Sequence, residues 1–301
     1  MTSPGLLRLA PSTVALLAGQ GLDVDDLRRV VTTALEEDLR LGPDVTTLST
    51  VGPTARTTGS IVPRASGVLA GLGVAVAVLD LVCGQDWELV HVGADGDRAV
   101  PGKPVLTIVA PTAALLTAER TMLNLLCHLS GVATATDAWV QAVAGTSCRI
   151  RDTRKTLPGL RQLQKYAVRA GGGVNHRLAL GDAALIKDNH VVAAGGVVAA
   201  MRRVRAAAPD LHCEVEVDSL DQLDAVLAEG AELVLLDNFD VTTTAEAVRR
   251  RNAVAPGTGL ESSGGLTLAV AGDYARTGVD FVAVGALTHS VTALDLGLDL
   301  D

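Results

Sequence analysis

Aromatic side chains are nearly missing from this 301-residue chain: two Trp, two Tyr and two Phe make up 2% of it. A core must therefore be built from Ala, Val and Leu. Single-stranded nucleic acid, which binds on aromatic stacking platforms, is a poor partner. Cysteine is scarce too, and Cys83, Cys127, Cys148 and Cys213 lack the paired spacing of zinc or redox sites. They are read as reduced, mostly buried thiols of a cytoplasmic protein. The N-terminus lacks a basic segment followed by an unbroken apolar run, so no secretory signal is expected. The longest apolar run, Val68 to Leu79, is too short and too glycine-rich to span a bilayer. With 48% hydrophobic and only 20% charged residues, wholesale disorder is excluded. The length allows one large domain plus a smaller one.

Lysine is rarer still, and its placement is the first positive signal. Three of the four lysines (Lys155, Lys165, Lys187) fall between Arg151 and His190. That stretch holds eight Lys/Arg against three Asp in a chain whose net charge is -9. A cationic island in an acidic protein makes a poor nucleic-acid surface but a good pocket for a compact polyanion.

Residues to about 21 read as a leader. VDDLRRVVTTALEEDL, from Val24, has helical spacing with Leu27, Val30, Val31, Ala34 and Leu35 on one face. It stops before Gly42-Pro43, after which Asp44-Val-Thr-Thr is a turn or a new cap. Strands are expected over Thr57–Pro63, Gly67–Ala70, Glu88–Val92 and Pro104–Val109, and an apolar helix over Gly71–Val82. Together they suggest a small α+β domain with an antiparallel sheet. Thr112 to Gly145 is helical in pattern with a break expected near Gly131. Its Arg120 sits among apolar neighbours, and pattern alone leaves it either a solvated helix charge or a functional one.

After Ser147 strands and helices alternate. Apolar runs occur at Cys148–Ile150, Val174–Leu180, Ala183–Ile186, Cys213–Val217, Leu233–Leu236, Gly259–Leu260 and Phe281–Val284. Helical stretches occur at Leu160–Ala170, Val197–Ala208, Leu220–Ala228, Ala245–Arg251 and Leu266–Thr277. This is the pattern of a parallel sheet covered on both faces, either a barrel or an open doubly wound sheet. No GxGxxG follows the first strand, which weakens the dinucleotide-binding form of the latter.

Each run ends in polar residues: Arg154/Lys155, His176/Arg177, Lys187, Glu216, Asp237, Glu261 with Ser263, and Gly285. A barrel gathers its active site on that rim. Solvated loop starts would mix signs without order, whereas here cations come first and carboxylates later. The cations suit phosphate or carboxylate groups. Glu216 and Asp237 suit a divalent metal, sugar hydroxyls, or salt bridges to the cations. Ser263-Gly264-Gly265, read as opening directly into a helix, suits a monophosphate. His176 alone is more often structural than catalytic.

The segments EEDLRLGPDVTT, ERTMLNLLCHLSG, DTRKTLPGLR, GGGVNHR, IKDNH, EVEVDS, LDNF, ESSGG and VGALTHS follow in order. With them the chain resembles the quinolinate phosphoribosyltransferase family over nearly its whole length after the leader. The resemblance implies an N-terminal α/β sandwich (residues 1–130, with the tail 288–301 packed on it) and an open seven-stranded α/β barrel (131–287). It implies phosphoribosyl transfer from phosphoribosyl pyrophosphate to quinolinate with decarboxylation, in NAD biosynthesis. It implies a homodimer with shared active sites, magnesium as cofactor, and no nucleic-acid or membrane partner.

Carried over residue by residue, Arg120 would reach in from the partner subunit. It would join Thr153, Arg154, Lys155, His176, Arg177 and Lys187 around quinolinate and pyrophosphate. Glu216 and Asp237 would hold ribose and magnesium, and Ser263, Gly264, Gly265, Val284, Gly285 and Ala286 the 5-phosphate region. Lys155, Lys187, Glu216 and Asp237 would be the catalytic set. Two competitors are a phosphoribosyltransferase for nicotinate itself and a catalytically dead nucleotide sensor.

Overall fold

Short capping side chains set the helix starts in a computed structural model that describes residues 8–301. Asp23 accepts the amides of Asp25 and Asp26, and Asp44 that of Thr47. Each satisfies orphan first-turn donors, and the paired acids Asp25 and Asp26 favour the positive end of the helix. Asp44 is thus the cap of a new helix. Of the stretch read as a leader, residues 1–7 lie outside the described residues; Pro11–Gly19 is a helix with Pro at its start.

The chain forms two compact units. The first comprises residues 8–137, 156–172 and 288–301 among those described. In it run helices α1 (Pro11–Gly19), α2 (Val24–Leu39) and α3 (Val45–Thr50), strands β1 (Arg56–Pro63) and β2 (Gly67–Val68), and helix α4 (Leu72–Cys83). Strands β3 (Glu88–Val92), β4 (Arg98–Ala99) and β5 (Leu106–Pro111) follow, then helix α5 (Thr112–Ala142). An antiparallel sheet has the order β12–β1–β5–β3, where β12 is Leu296–Leu300; β2 pairs separately with β4. The tail joins by register, Ile61 opposite Leu298. Nearly every side chain of α4 is buried, as its continuous apolar run requires.

Two expectations fail here. Helix α5 runs unbroken through Gly131, and crosses from one unit to the other after Asp137. The glycine serves close approach instead: a Cβ there would lie 2.3 Å from the Thr292 carbonyl oxygen. Helix α6 (Arg161–Ala170), expected to cover the parallel sheet, belongs with the first unit. There Tyr166 donates to Asp95, and Gln164 donates to the Thr288 carbonyl at 2.6 Å. The unit boundary at 137/138 and the excursion 156–172 compare with an expected division at 130/131.

The second unit comprises 138–155 and 173–287. Its strands are β6 (Arg149–Arg151), β7 (Ala184–Ile186), β8 (Cys213–Val217), β9 (Leu233–Asp237), β10 (Gly259–Ser263) and β11 (Phe281–Ala283). All pair in parallel in the order β6–β11–β10–β9–β8–β7. The strand expected over Val174–Leu180 reduces to one parallel bridge between Val174 and Arg151. Beyond it Asp182 pulls the chain into a loop by accepting the amides of Leu178 and Ala179. Helices α7 (Asp188–Ala194), α8 (Val197–Ala207), α9 (Leu220–Ala228), α10 (Val241–Val254) and α11 (Ala271–Arg276) lie between strands. The short α12 (Ala286–His289) spans the return to the first unit.

The expected helix Leu266–Thr277 is cut to a 3-10 turn at Leu268–Val270 followed by α11. The SGG segment therefore leads into extended residues, not directly into a helix. At the strands' N-terminal ends, Arg251 is buried against the Asp280 carboxylate at 2.9 Å and the Thr258 carbonyl. That closes the lower end of the sheet with a satisfied ion pair.

Candidate active site

Residues two apart share a face of a strand. Along β8 this puts Cys213, Val215 and Val217 on one side and Glu214 and Glu216 on the other. The register sets Glu216 beside Leu235, Leu235 beside Glu261, and Asp237 beside Ser263. One face of the parallel sheet is thus aliphatic, and α8, α9 and α10 bury Met201, Leu223, Leu227 and Val248. The other face is mixed, with Leu233 and Leu235 beside Glu214, Glu216 and Glu261. Runs expected to be apolar throughout are thus broken on this face by glutamates that pair with Arg151, His176 and Lys187.

The C-terminal edge of this mixed face gathers most of the candidate residues. Lys155 is exposed on the loop after β6, where its amide is capped by the Thr153 hydroxyl at 3.0 Å. Lys187, directly after β7, places Nζ 3.2 Å from Glu216 Oε2. Asp237 ends β9 and accepts from Asn238 Nδ2 at 2.9 Å. Asn238 adopts a left-handed conformation (φ +57°), and its amide donates to the Ser263 carbonyl. Gly264 (φ +98°) packs so closely here that a Cβ would lie 2.2 Å from Asn238 Oδ1, which demands glycine. Val284 is buried and its amide is used by the Arg151 carbonyl, while Gly285 and Ala286 follow at the start of α12.

Two arginines stand out. Arg177 donates from Nη1 to the Ala183 carbonyl at 2.8 Å, yet its Nε, and that of Arg154, is buried without a partner. Burial, and then the like charge of Arg154, press the Arg177 guanidinium below its usual value. Buried cationic donors aimed at nothing are costly, and an anion relieves them. Arg120 lies in the first unit, on α5; its side chain is 64% exposed, with Glu119 at 4.0 Å as an ionic neighbour.

Beneath this rim lies a set of charges that strand-end reasoning missed. Arg151 Nη1 contacts Glu261 Oε2 at 2.7 Å and Glu214 Oε2 at 3.6 Å. His176 Nε2 meets Glu214 Oε2 at 2.8 Å. Burial, and then the charge of Glu214, push the Glu261 carboxyl up to about 8. The alternation C-E-V-E-V was the available signal for Glu214. A divalent cation fits the rim better than the buried trio of His176, Glu214 and Glu261. Magnesium favours one or two carboxylates with retained water and substrate oxygens, as the half-buried Glu216 and Asp237 offer. In the buried layer, Arg151 already supplies the positive charge.

An α/β unit whose strand ends carry cations followed by carboxylates, over a glycine-lined turn, is an arrangement that suits small phosphorylated anions. Comparison with known proteins narrows the class. Residues 44–130 match the family model for the quinolinate phosphoribosyl transferase N-terminal domain, and residues 132–299 that for the C-terminal domain. The chain belongs to the quinolinate phosphoribosyltransferase family. It is 63% identical over 279 residues to the nicotinate-nucleotide pyrophosphorylase [carboxylating] of Mycobacterium leprae (strain TN), covering 92% of this chain and 98% of that one. The human protein of that name is 39% identical over 241 residues, covering 79% and 80%. The solved nicotinate-nucleotide pyrophosphorylase of Francisella tularensis superposes with a TM-score of 0.86 at 36% identity, covering 92% and 96%.

Proposed function

We propose that the C-terminal rim of the parallel sheet carries out phosphoribosyl transfer. The reaction joins quinolinate to the phosphoribosyl group of phosphoribosyl pyrophosphate, giving nicotinate mononucleotide, pyrophosphate and carbon dioxide in NAD biosynthesis. The observation that carries the site assignment is the neighbouring pair Arg154 and Arg177, each with a buried, unpartnered Nε. Quinolinate brings two adjacent carboxylates, which suit two guanidinium forks.

Arg154, Arg177 and Lys187 hold the dicarboxylate, with His176 beneath and Thr153 shaping the loop. Arg120 of a second subunit completes the pocket in a homodimer with shared sites. Lys155 takes the pyrophosphate. Ser263, Gly264, Gly265, Gly285 and Ala286 cradle the 5-phosphate, whose negative charge suits exposed backbone donors. Glu216 and Asp237 hold the ribose hydroxyls and are the ligands for Mg2+, which neutralises charge on the pyrophosphate when bound.

As the bond from the anomeric carbon to pyrophosphate breaks, its electron pair leaves with the pyrophosphate oxygen, which Lys155 stabilises. The pyridine nitrogen donates its lone pair to the electron-poor carbon, and the carboxylates of Glu216 and Asp237 stabilise positive charge growing on the sugar. In the resulting pyridinium, the carbon–carboxylate bond beside nitrogen breaks. Carbon dioxide departs, the electron pair stays on the ring carbon, stabilised by the adjacent positive nitrogen, and then takes up a proton. No covalent enzyme nucleophile is required.

We read the Val174 bridge as what remains of a seventh strand, so that the six strands and this bridge form an open barrel. Scattered, unpaired cysteines and the substrate class suit a cytoplasmic location. Nicotinate mononucleotide and carbon dioxide appearing together only when quinolinate, phosphoribosyl pyrophosphate and magnesium are all present would support this assignment. Neither product appearing would reject it.

A further inference from the structure

Glu214 and Glu261 lie one side-chain layer below Glu216 and Ser263, on the same face of β8 and β10, and both are fully buried. A pair of buried carboxylates is expensive, and well-packed apolar residues in their place are often no less stable. What the charges provide here is orientation. Arg151 bridges the two through Nη1. Glu214 Oε2 then engages His176 Nε2 at 2.8 Å, while His176 Nδ1 accepts the Arg177 amide at 2.6 Å. From the other side, Asp152 Oδ1 accepts the His176 amide at 2.8 Å, and its Oδ2 accepts from Asn175 Nδ2 at 2.6 Å. Both ring nitrogens of His176 are therefore used inside the protein. The ring joins a buried carboxylate to the backbone of the residue that presents a guanidinium at the rim.

We propose that Arg151, Glu214 and Glu261 form a buried positioning site that fixes His176, and through it the presentation of Arg177 to the anionic substrate. His176 is by this account a positioning residue, not a substrate ligand. The Glu261 carboxyl, raised by its burial and then by the charge of Glu214, fits a site in which one guanidinium faces two carboxyl groups. Asp152 and the His176 ring are the other ionisable groups in contact with the cluster through the bonds just described.

This inference rests on Arg177 being part of the quinolinate pocket, so the experiment separates the two. Steady-state kinetics with each substrate varied would compare Arg177→Ala, Glu214→Leu and Glu214→Gln. Glu214→Leu removes the acceptor of the His176 ring and should raise the quinolinate KM by about 10-fold or more, the scale on which supporting partners of site residues act, with the phosphoribosyl pyrophosphate KM within about twofold. Glu214→Gln keeps an oxygen for that ring and should restore the quinolinate KM. If Glu214→Leu does not fold, His176→Ala serves: it removes both the partner of Glu214 and the acceptor of the Arg177 N–H, and the same selective rise is expected. Unchanged quinolinate KM in these variants, beside an Arg177→Ala enzyme that has lost quinolinate binding, would overturn the positioning role alone. Parallel rises for both substrates would also overturn it. An Arg177→Ala enzyme with normal quinolinate KM would reject the pocket assignment, and the positioning role with it.

Discussion

Two tiers of charge in the second unit, one mostly within the parallel sheet and one on residues beyond its strand ends, are treated in opposite ways. In the lower layer Glu214, Glu261 and His176 are buried and Arg151 nearly so, and they pair through Arg151 Nη1, His176 Nε2 and the two Oε2 atoms, while both Oε1 atoms lack a partner. In the upper layer Lys155 and Lys187 are exposed, and Arg154 and Arg177 keep buried donors unmatched. A closed ion-pair layer costs desolvation but holds its shape; an open one keeps binding energy for a ligand. The difference teaches where to look for chemistry. Buried cationic donors without a counter-charge mark the reacting layer, and cation paired with carboxylate marks its support.

The largest effect should come from the rim carboxylates. Glu216→Ala and Asp237→Ala should each lower kcat by about 10²–10³-fold, the size of a lost transition-state contact, while circular dichroism and size are unchanged. Near-normal turnover with magnesium present would take that residue away from the reacting sugar. Next comes Arg120, which belongs to neither layer and is exposed on α5. Arg120→Ala and Lys155→Ala chains, each inactive alone, should regain activity in hybrid dimers, where one site is wholly wild-type. Verified hybrids without recovery would mean that both residues serve one chain's pocket.

A smaller change is expected at Gly264. Gly264→Ala drives a Cβ into Asn238 in a left-handed backbone, so it should destabilise by about 1–3 kcal/mol. It should also raise the phosphoribosyl pyrophosphate KM more than that for quinolinate. The smallest effect probes the lower layer. Because the folded-state value of Glu261 lies above that of an unfolded carboxylate, its contribution is full at low pH and fades as pH rises through about 8. The unfolding midpoint should fall between about pH 4.5 and pH 8, and Glu261→Gln should flatten that fall.

The rim was legible in the sequence because each strand ends where its polar residue begins. Lys187, Asp237 and Ser263 follow or close β7, β9 and β10. The supporting layer was not, because Glu214 inside β8 reads as part of an apolar run until its side chain is seen to meet Arg151 and His176. The helix 161–170 was recognised, but its neighbours were not. Only tertiary contacts such as Gln164 with the Thr288 carbonyl assign it to the first unit. Gly131 misled in the opposite sense, since a glycine at a helix–backbone approach looks locally like a break. Val174–Leu180 failed as a strand because Asp182 offers its amides a local acceptor.

The most direct test of the open cationic layer is a comparison of kcat/KM for quinolinate and for nicotinate, measured by nucleotide formation with phosphoribosyl pyrophosphate and magnesium. A pocket built around unmatched Arg154 and Arg177 should leave one guanidinium buried and unpaired when only one carboxylate arrives. Nicotinate should then fall behind by at least about 10³-fold, as sites with unmet buried polar groups reject truncated ligands. Comparable values for the two substrates would contradict the account.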